Sequence, residues 1–244
     1  MGASQQSREA IRQWESISSD QAAAMDTDGD FSKRWRLNDV IFDLLGDIAG
    51  SRVLDAGRGQ GYLSRMMASR GAEVTSIEPA EPLFRHSLLM EQQLQQGIQL
   101  IQADLTTVWI NQKFDAVVAN MVLQSIDDWM SAFSACTNAL RPGGRLIFSI
   151  EHPVVSAAHS EWRSEGCLRI GNYRPRPVPR PVATDFHRPI SVYLNALGPA
   201  GLSFERMEEP TLPPEALKDP DAPPHAALLQ HVPTFAVLSA VKVH

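Results

Sequence analysis

Between residues 52 and 150, short apolar runs alternate with segments whose apolar residues recur at helical spacing. That alternation restricts the chain to a parallel sheet built from strand–helix–strand units, an α/β fold. Strands are expected at 52–56, 73–77, 98–102, 114–119 and 145–150. Leu63, Met66 and Met67 stand at i, i+3, i+4, and Trp129, Phe133, Cys136 and Leu140 at i, i+4, i+7, i+11, so each segment presents one apolar stripe. An earlier helix carrying Ile41, Leu44, Leu45 and Ile48 is expected to end at Gly50. Proline marks where this regime stops: Pro79 and Pro82 precede residue 142, and the other 15 of the 17 prolines lie from Pro142 onward. The run Arg174-Pro175-Arg176-Pro177-Val178-Pro179-Arg180-Pro181 should be extended, because proline fixes φ and restricts the residue before it. A short helix bearing Ile190, Tyr193, Leu194 and Leu197 follows, then strands at 202–207 and 234–241 separated by a long proline-rich loop.

Charge excludes some partners. With 22 Lys+Arg against 28 Asp+Glu the net charge is −6, which argues against a dominant attraction to nucleic acid or to an anionic membrane. Cys136 and Cys167 fit neither a disulfide framework nor a Cys-x-x-Cys site. The first twenty residues carry charges instead of a signal sequence, and 222–241 is broken by Pro223, Pro224, His225 and Pro233. A cytoplasmic protein is the expectation.

The strongest local signal is Val53-Leu54-Asp55-Ala56-Gly57-Arg58-Gly59-Gln60-Gly61, an apolar strand entering a glycine-dense turn before a helix. Glycine allows tight turning and close approach of backbone to a ligand at a helix N-terminus. Glu78 ends the second strand 21 residues after Gly57, where a doubly wound fold places a carboxylate for ribose hydroxyls. The dinucleotide fingerprint G-x-G-x-x-G is not completed, since Tyr62 takes its third glycine position, and a nicotinamide dehydrogenase loses ground.

These residues resemble the class I S-adenosylmethionine-dependent methyltransferases, particularly the small-molecule branch. The resemblance rests on the Asp55–Gly61 loop, Glu78-Pro79, Ala103-Asp104-Leu105, the segment Phe114-Asp115-Ala116-Val117-Val118-Ala119-Asn120, and Leu140-Arg141-Pro142-Gly143-Gly144. It implies a Rossmann-like, doubly wound, seven-stranded sheet, mostly parallel with an antiparallel last strand and helices on both faces. Residues 1–244 would form one methyltransferase domain: a helical cover over 1–50, a cofactor-binding core over 51–150, a substrate lid and helix over 151–200, and closing strands over 201–244. It further implies S-adenosylmethionine as cofactor and S-adenosylhomocysteine as product. Gly57, Gly59 and Gly61 would wrap the methionine portion with Asp55 beneath them; Glu78 and Pro79 would meet the ribose, Asp104 and Leu105 the adenine, and Asn120 the methionine end. Arg58 stands where many relatives have cysteine, and no role is assigned to it. Phe31 and Arg34 of the N-terminal segment would fold over the site, Arg34 near the cofactor carboxylate.

Methyl transfer from a sulfonium requires no metal; the protein aligns the reactants, and a base removes a proton from a hydroxyl or ammonium acceptor. His152, immediately after the fifth strand, is the first candidate, His187 the next, and Glu151 a weaker rival. Trp162, Tyr173, Arg188 and Tyr193 are candidate acceptor contacts. The run Asp26-x-Asp28-x-Asp30 lacks the glycine and glutamate positions of a calcium loop and is set aside. The leading reading is O- or N-methylation of a small-molecule metabolite. A non-catalytic cofactor-binding partner protein and a nucleic-acid methyltransferase are the alternatives, the latter weakened by charge and by the absence of Asn-Pro-Pro-Tyr after strand four. The acceptor's identity and the oligomeric state stay open.

Overall fold

The computed structural model describes residues 5–24, 28–159 and 161–243; Asp26 of the aspartate run lies outside them. The chain opens with α1 (Gln5–Glu15), α2 (Ser19–Ala24), a π-helical turn at Lys33–Leu37 and α3 (Asn38–Leu45). The core alternates β1 (Arg52–Ala56), α4 (Tyr62–Ser69), β2 (Glu73–Ile77), α5 (Glu81–Leu94), β3 (Gln99–Ile101), β4 (Phe114–Asn120), α6 (Trp129–Ala139) and β5 (Leu140–Glu151). Then come the single turns α7 (Pro153–Ser156) and α8 (Trp162–Glu165), a ribbon of β6 (Arg176–Val178) and β7 (Asp185–His187), α9 (Ile190–Leu197), β8 (Leu202–Glu208) and β9 (Phe235–Lys242).

Seven strands form one sheet in the order β3-β2-β1-β4-β5-β9-β8. The strands from β1 to β5 pair in parallel, and β9, last in sequence, runs antiparallel to both of its neighbours. Period-two alternation divides the strand residues between two cores. Leu54, Val117, Leu146 and Phe148 pack with Phe133 and Cys136 of α6 and Leu197 of α9. Val53, Ala116, Val118 and Ile147 pack with Ile41 and Leu44 of α3 and with Leu63 and Met67 of α4. Each fully buried Leu or Phe contributes roughly 1.5–3 kcal/mol relative to exposure, so both faces must be covered by helices. The chain order reverses between β1 and β4, the switch point at which open α/β sheets present ligand crevices.

Some expectations shift. Helix α3 stops at Gly46, whose φ of +68° ends the helix while its N–H donates to the Phe42 carbonyl at 3.0 Å. Ile48 still reaches the core from the following turn, which is why its spacing reads as a longer helix ending at Gly50. The proline run contributes the extended strand β6, and the rest of 151–189 folds into single turns and β7. Tyr193 is 1% exposed and packs in the core against Trp129, with ring centroids 4.9 Å apart. No helix among the described residues is long and apolar enough to cross a membrane.

Candidate functional site

The turn after β1 runs through Gly57, Gly59 and Gly61 at φ +74°, +60° and +87°, a region that L side chains rarely enter. A β-carbon at Gly57 would lie 2.6 Å from Val122 Cγ1, whereas one at Gly59 would meet no protein atom within 4 Å. The loop is tied to β2: the N–H groups of Gly57 and Arg58 both donate to the Ile77 carbonyl, at 2.9 and 3.1 Å. One residue on, the N–H of Gly59 donates to Glu78 Oε2 and that of Ala80 to Oε1, each at 2.9 Å. The buried carboxylate thus has one backbone donor per oxygen and retains lone pairs for further donors. Burial pushes its pKa up, against the two N–H groups and the nearby Arg58.

Asp55, at the end of β1, accepts from Ser64 Oγ of α4 at 2.5 Å, and burial raises its pKa to about 6. Arg58 is buried with its guanidinium 5.4 Å from the Phe84 ring centroid, and none of its three nitrogens has a hydrogen-bond partner among the described residues. Asp104 Oδ1 accepts from the Thr106 N–H at 2.8 Å, so this side chain both caps its turn and faces the ligand space.

One cleft of about 1100 Å³, counted with its open mouth, brings together Asp55, Gly57, Gly59, Glu78, Pro79, Asp104, Leu105 and Asn120. Of the remaining residues expected there, Gly61 is the N-cap of α4 behind the lining. Arg34 points elsewhere: its Nη2 pairs with Asp219 at 3.2 Å and Asp221 at 2.8 Å, because the π-helical turn puts Lys33 on the cleft side instead. Ala10, Ile11 and Trp14 of α1 also line the cleft, their i, i+1, i+4 spacing placing them on one face of that helix.

A directional hydrogen-bond chain anchors the N-terminal segment at the cleft. Met121, left-handed at φ +60°, donates its N–H to Ser149 Oγ at 2.9 Å, and Ser149 donates to Asn120 Oδ1 at 2.6 Å. Asn120 Nδ2 donates to the Tyr62 hydroxyl at 2.8 Å, Tyr62 donates to Asn38 Oδ1 at 3.1 Å, and Asn38 donates to the Asp28 carbonyl at 2.7 Å. Tyr62, where the dinucleotide motif has glycine, is thus the middle of the chain.

The expected bases stand outside the cleft lining. His152 accepts the Val154 N–H on Nδ1 as the cap of α7, and its Nε2 lies 2.6 Å from Glu209. His187 is buried with Nδ1 2.6 Å from Ser156 Oγ, and burial lowers its pKa. Glu151 faces a second cavity, ion-paired to Arg180, with its pKa raised by burial. Phe31 and Trp162 sit in the wall of that cavity, within a third apolar cluster. Tyr173 is partly exposed, with its ring centroid 5.1 Å from that of His187. Arg188 is buried and donates to the backbone carbonyls of Leu123 at 3.1 Å, Ile126 at 2.6 Å and Asp127 at 3.0 Å, which makes it a loop anchor.

Comparison with known proteins agrees with this geometry. A family profile described as a methyltransferase domain matches residues 54–148. A ubiquinone biosynthesis O-methyltransferase from Xanthomonas oryzae pv. oryzae is 37% identical over 131 residues, 51% of this chain and 54% of that protein. That from Alkalilimnicola ehrlichii is 34% identical over 113 residues, 46% of each chain. The chain spans about half the length of the curated relatives it matches. An S-adenosylmethionine-dependent methyltransferase from Mesorhizobium loti superposes with a TM-score of 0.73 at 25% identity, over 88% of this chain and 99% of that one. Magnesium protoporphyrin IX methyltransferase from Synechocystis PCC 6803 shares the fold, with a TM-score of 0.59 at 19% identity over 89% of each chain. Sheet order, the reversed last strand and the glycine loop define a Rossmann-like domain of the methyltransferase type. Residues 54–148 thus match a methyltransferase domain, and the chain shares the fold of S-adenosylmethionine-dependent methyltransferases.

Proposed function

We propose that this chain transfers a methyl group from S-adenosylmethionine to an oxygen or nitrogen atom of a small molecule. The observation that carries the reading is Glu78, a buried carboxylate held by two backbone N–H groups beside the open face of Gly59, with lone pairs left for two hydroxyls. Glu78 would hold the ribose, Pro79, Asp104 and Leu105 the adenine, and Gly57, Gly59 and Asn120 the methionine end, beside Lys33, which is ion-paired to Asp30 at 3.0 Å. When bound, the cofactor supplies an electrophilic methyl group on a sulfonium, so transfer depends on alignment and on exclusion of water. Trp14 and Ile11 cover the cleft, and the chain of hydrogen bonds through Tyr62 fixes the segment that closes it. Glu151, raised in pKa by burial, takes the proton of the acceptor hydroxyl or ammonium.

The test is methyl transfer from labelled cofactor to a panel of small hydroxyl- and amine-bearing acceptors, with RNA and DNA alongside. Turnover of a small acceptor is expected; label entering only nucleic acid would contradict the reading.

A further inference from the structure

The second cavity lies where β5 ends and β9 begins, and neighbouring residues of one segment reach both spaces. Lys33 lines the cleft, whereas Asp30, Ser32 and Arg36 line the second cavity. The apolar part of its wall includes Phe31, Val155, Trp162 and Phe235.

Its ion pairs leave two cations over. Each acid of the wall has its own cation: Asp30 has Lys33 at 3.0 Å, Asp221 has Arg34 at 2.8 Å, and Glu151 has Arg180. Two cations of the wall, Arg36 and Arg163, make no ion pair among the described residues; Asp30 acts on Arg36 and Glu151 on Arg163 only from beyond that distance. Arg36 is 5% exposed; it donates to Thr234 and, at 2.7 Å, to Ser32 Oγ, and its Nε has no partner. A guanidinium taken out of water whose hydrogen bonds go only to hydroxyls is a costly arrangement that an anion in the cavity would relieve. Arg36 lies 4.6 Å from the Phe235 ring centroid and Arg163 4.9 Å from that of Trp162. Stacking on an aromatic face sets the guanidinium plane while its N–H edge stays available for a carboxylate. His225, in the same wall, has its pKa lowered by burial and by the nearby Arg163 and Arg36.

Resting on the methyltransferase reading, we infer that the second cavity is the acceptor pocket and that it takes an aryl carboxylate, its acid group on Arg36 and Arg163 and its ring among the aromatic walls. Glu151 shares the cavity, so the anchor for the acid and the acceptor of the proton lie in one chamber.

The test is calorimetric titration of the full chain, with S-adenosylhomocysteine present, by para-hydroxybenzoate and para-aminobenzoate and by their neutral amides. The acids should bind at least about tenfold more tightly than the amides, the difference expected when a charged hydrogen bond is lost. Arg163→Met, at an exposed position, should weaken acid binding by about tenfold and leave S-adenosylhomocysteine affinity unchanged; Arg36→Met should do so more strongly if it folds. Equal binding of acid and amide, or acid binding untouched by Arg163→Met, would overturn the inference, as would no acid binding by a protein that binds S-adenosylhomocysteine. Acid binding without S-adenosylhomocysteine binding would instead overturn the methyltransferase reading and leave the anion pocket standing.

Discussion

The Gly59 N–H donates to the Glu78 carboxylate at 2.9 Å, so the loop after β1 and the end of β2 form one unit before any ligand arrives. A cofactor meeting this pair finds its acceptor already oriented, which reduces the ordering that binding would otherwise cost.

The glycines of that loop should separate stability from binding. Gly57→Ala forces a left-handed alanine and a β-carbon 2.6 Å from Val122, and should destabilise by roughly 2–4 kcal/mol in urea unfolding. Gly59→Ala meets no protein atom and should cost only about 1 kcal/mol of stability, while cofactor affinity falls at least about tenfold because the methyl group stands in the ligand space.

Asp55 should give a pH-dependent stability. Its folded pKa of about 6 lies above the ordinary 3.8, so its contribution is fully present below about pH 4 and is lost as pH rises through 6. Asp55→Asn removes the charge while its carbonyl can still accept from Ser64. The variant should be more stable than wild type by about 1–3 kcal/mol at alkaline pH, a gap that closes toward about pH 4. Urea midpoints across pH check this; a gap that widens in acid would refute it.

Tyr62→Phe keeps the ring and removes the hydroxyl between Asn120 and Asn38. It should cost about 1–3 kcal/mol and speed amide exchange in residues 28–38, with little change in β4.

Arg188→Met should strip donors from the buried carbonyls of Leu123, Ile126 and Asp127 and lower stability by about 3 kcal/mol, read as a shift in the unfolding midpoint. An unchanged midpoint would count against its role as a loop anchor.

Much of the frame was legible because the strands bury alternate residues on two helical layers, as Val53 and Leu54 do. Helix α5 left little apolar period, since its buried residues are Leu83 and Ser87 while Leu88, Leu89 and Leu94 face outward. The loop residues of the cleft were readable from glycine chemistry and strand-end acids. Lys33 was missed for Arg34 because a π-helical turn changes which neighbour faces inward, a shift with no mark in residue type. In sequence His152 follows a strand and His187 precedes a helix, but chain position does not reveal that one caps α7 and the other is buried against Ser156. Arg36 and His225 were overlooked because the second cavity joins segments nearly two hundred residues apart.

The central claim is tested most directly by calorimetric titration of S-adenosylmethionine and S-adenosylhomocysteine into wild type and Glu78→Ala. Both ligands should bind wild type, and the variant should lose about 10- to 100-fold in affinity for each, the effect of about 1.5–3 kcal/mol from hydrogen bonds to a charged group. Unchanged affinity in a folded Glu78→Ala protein, or no binding of either ligand to wild type, would contradict the account.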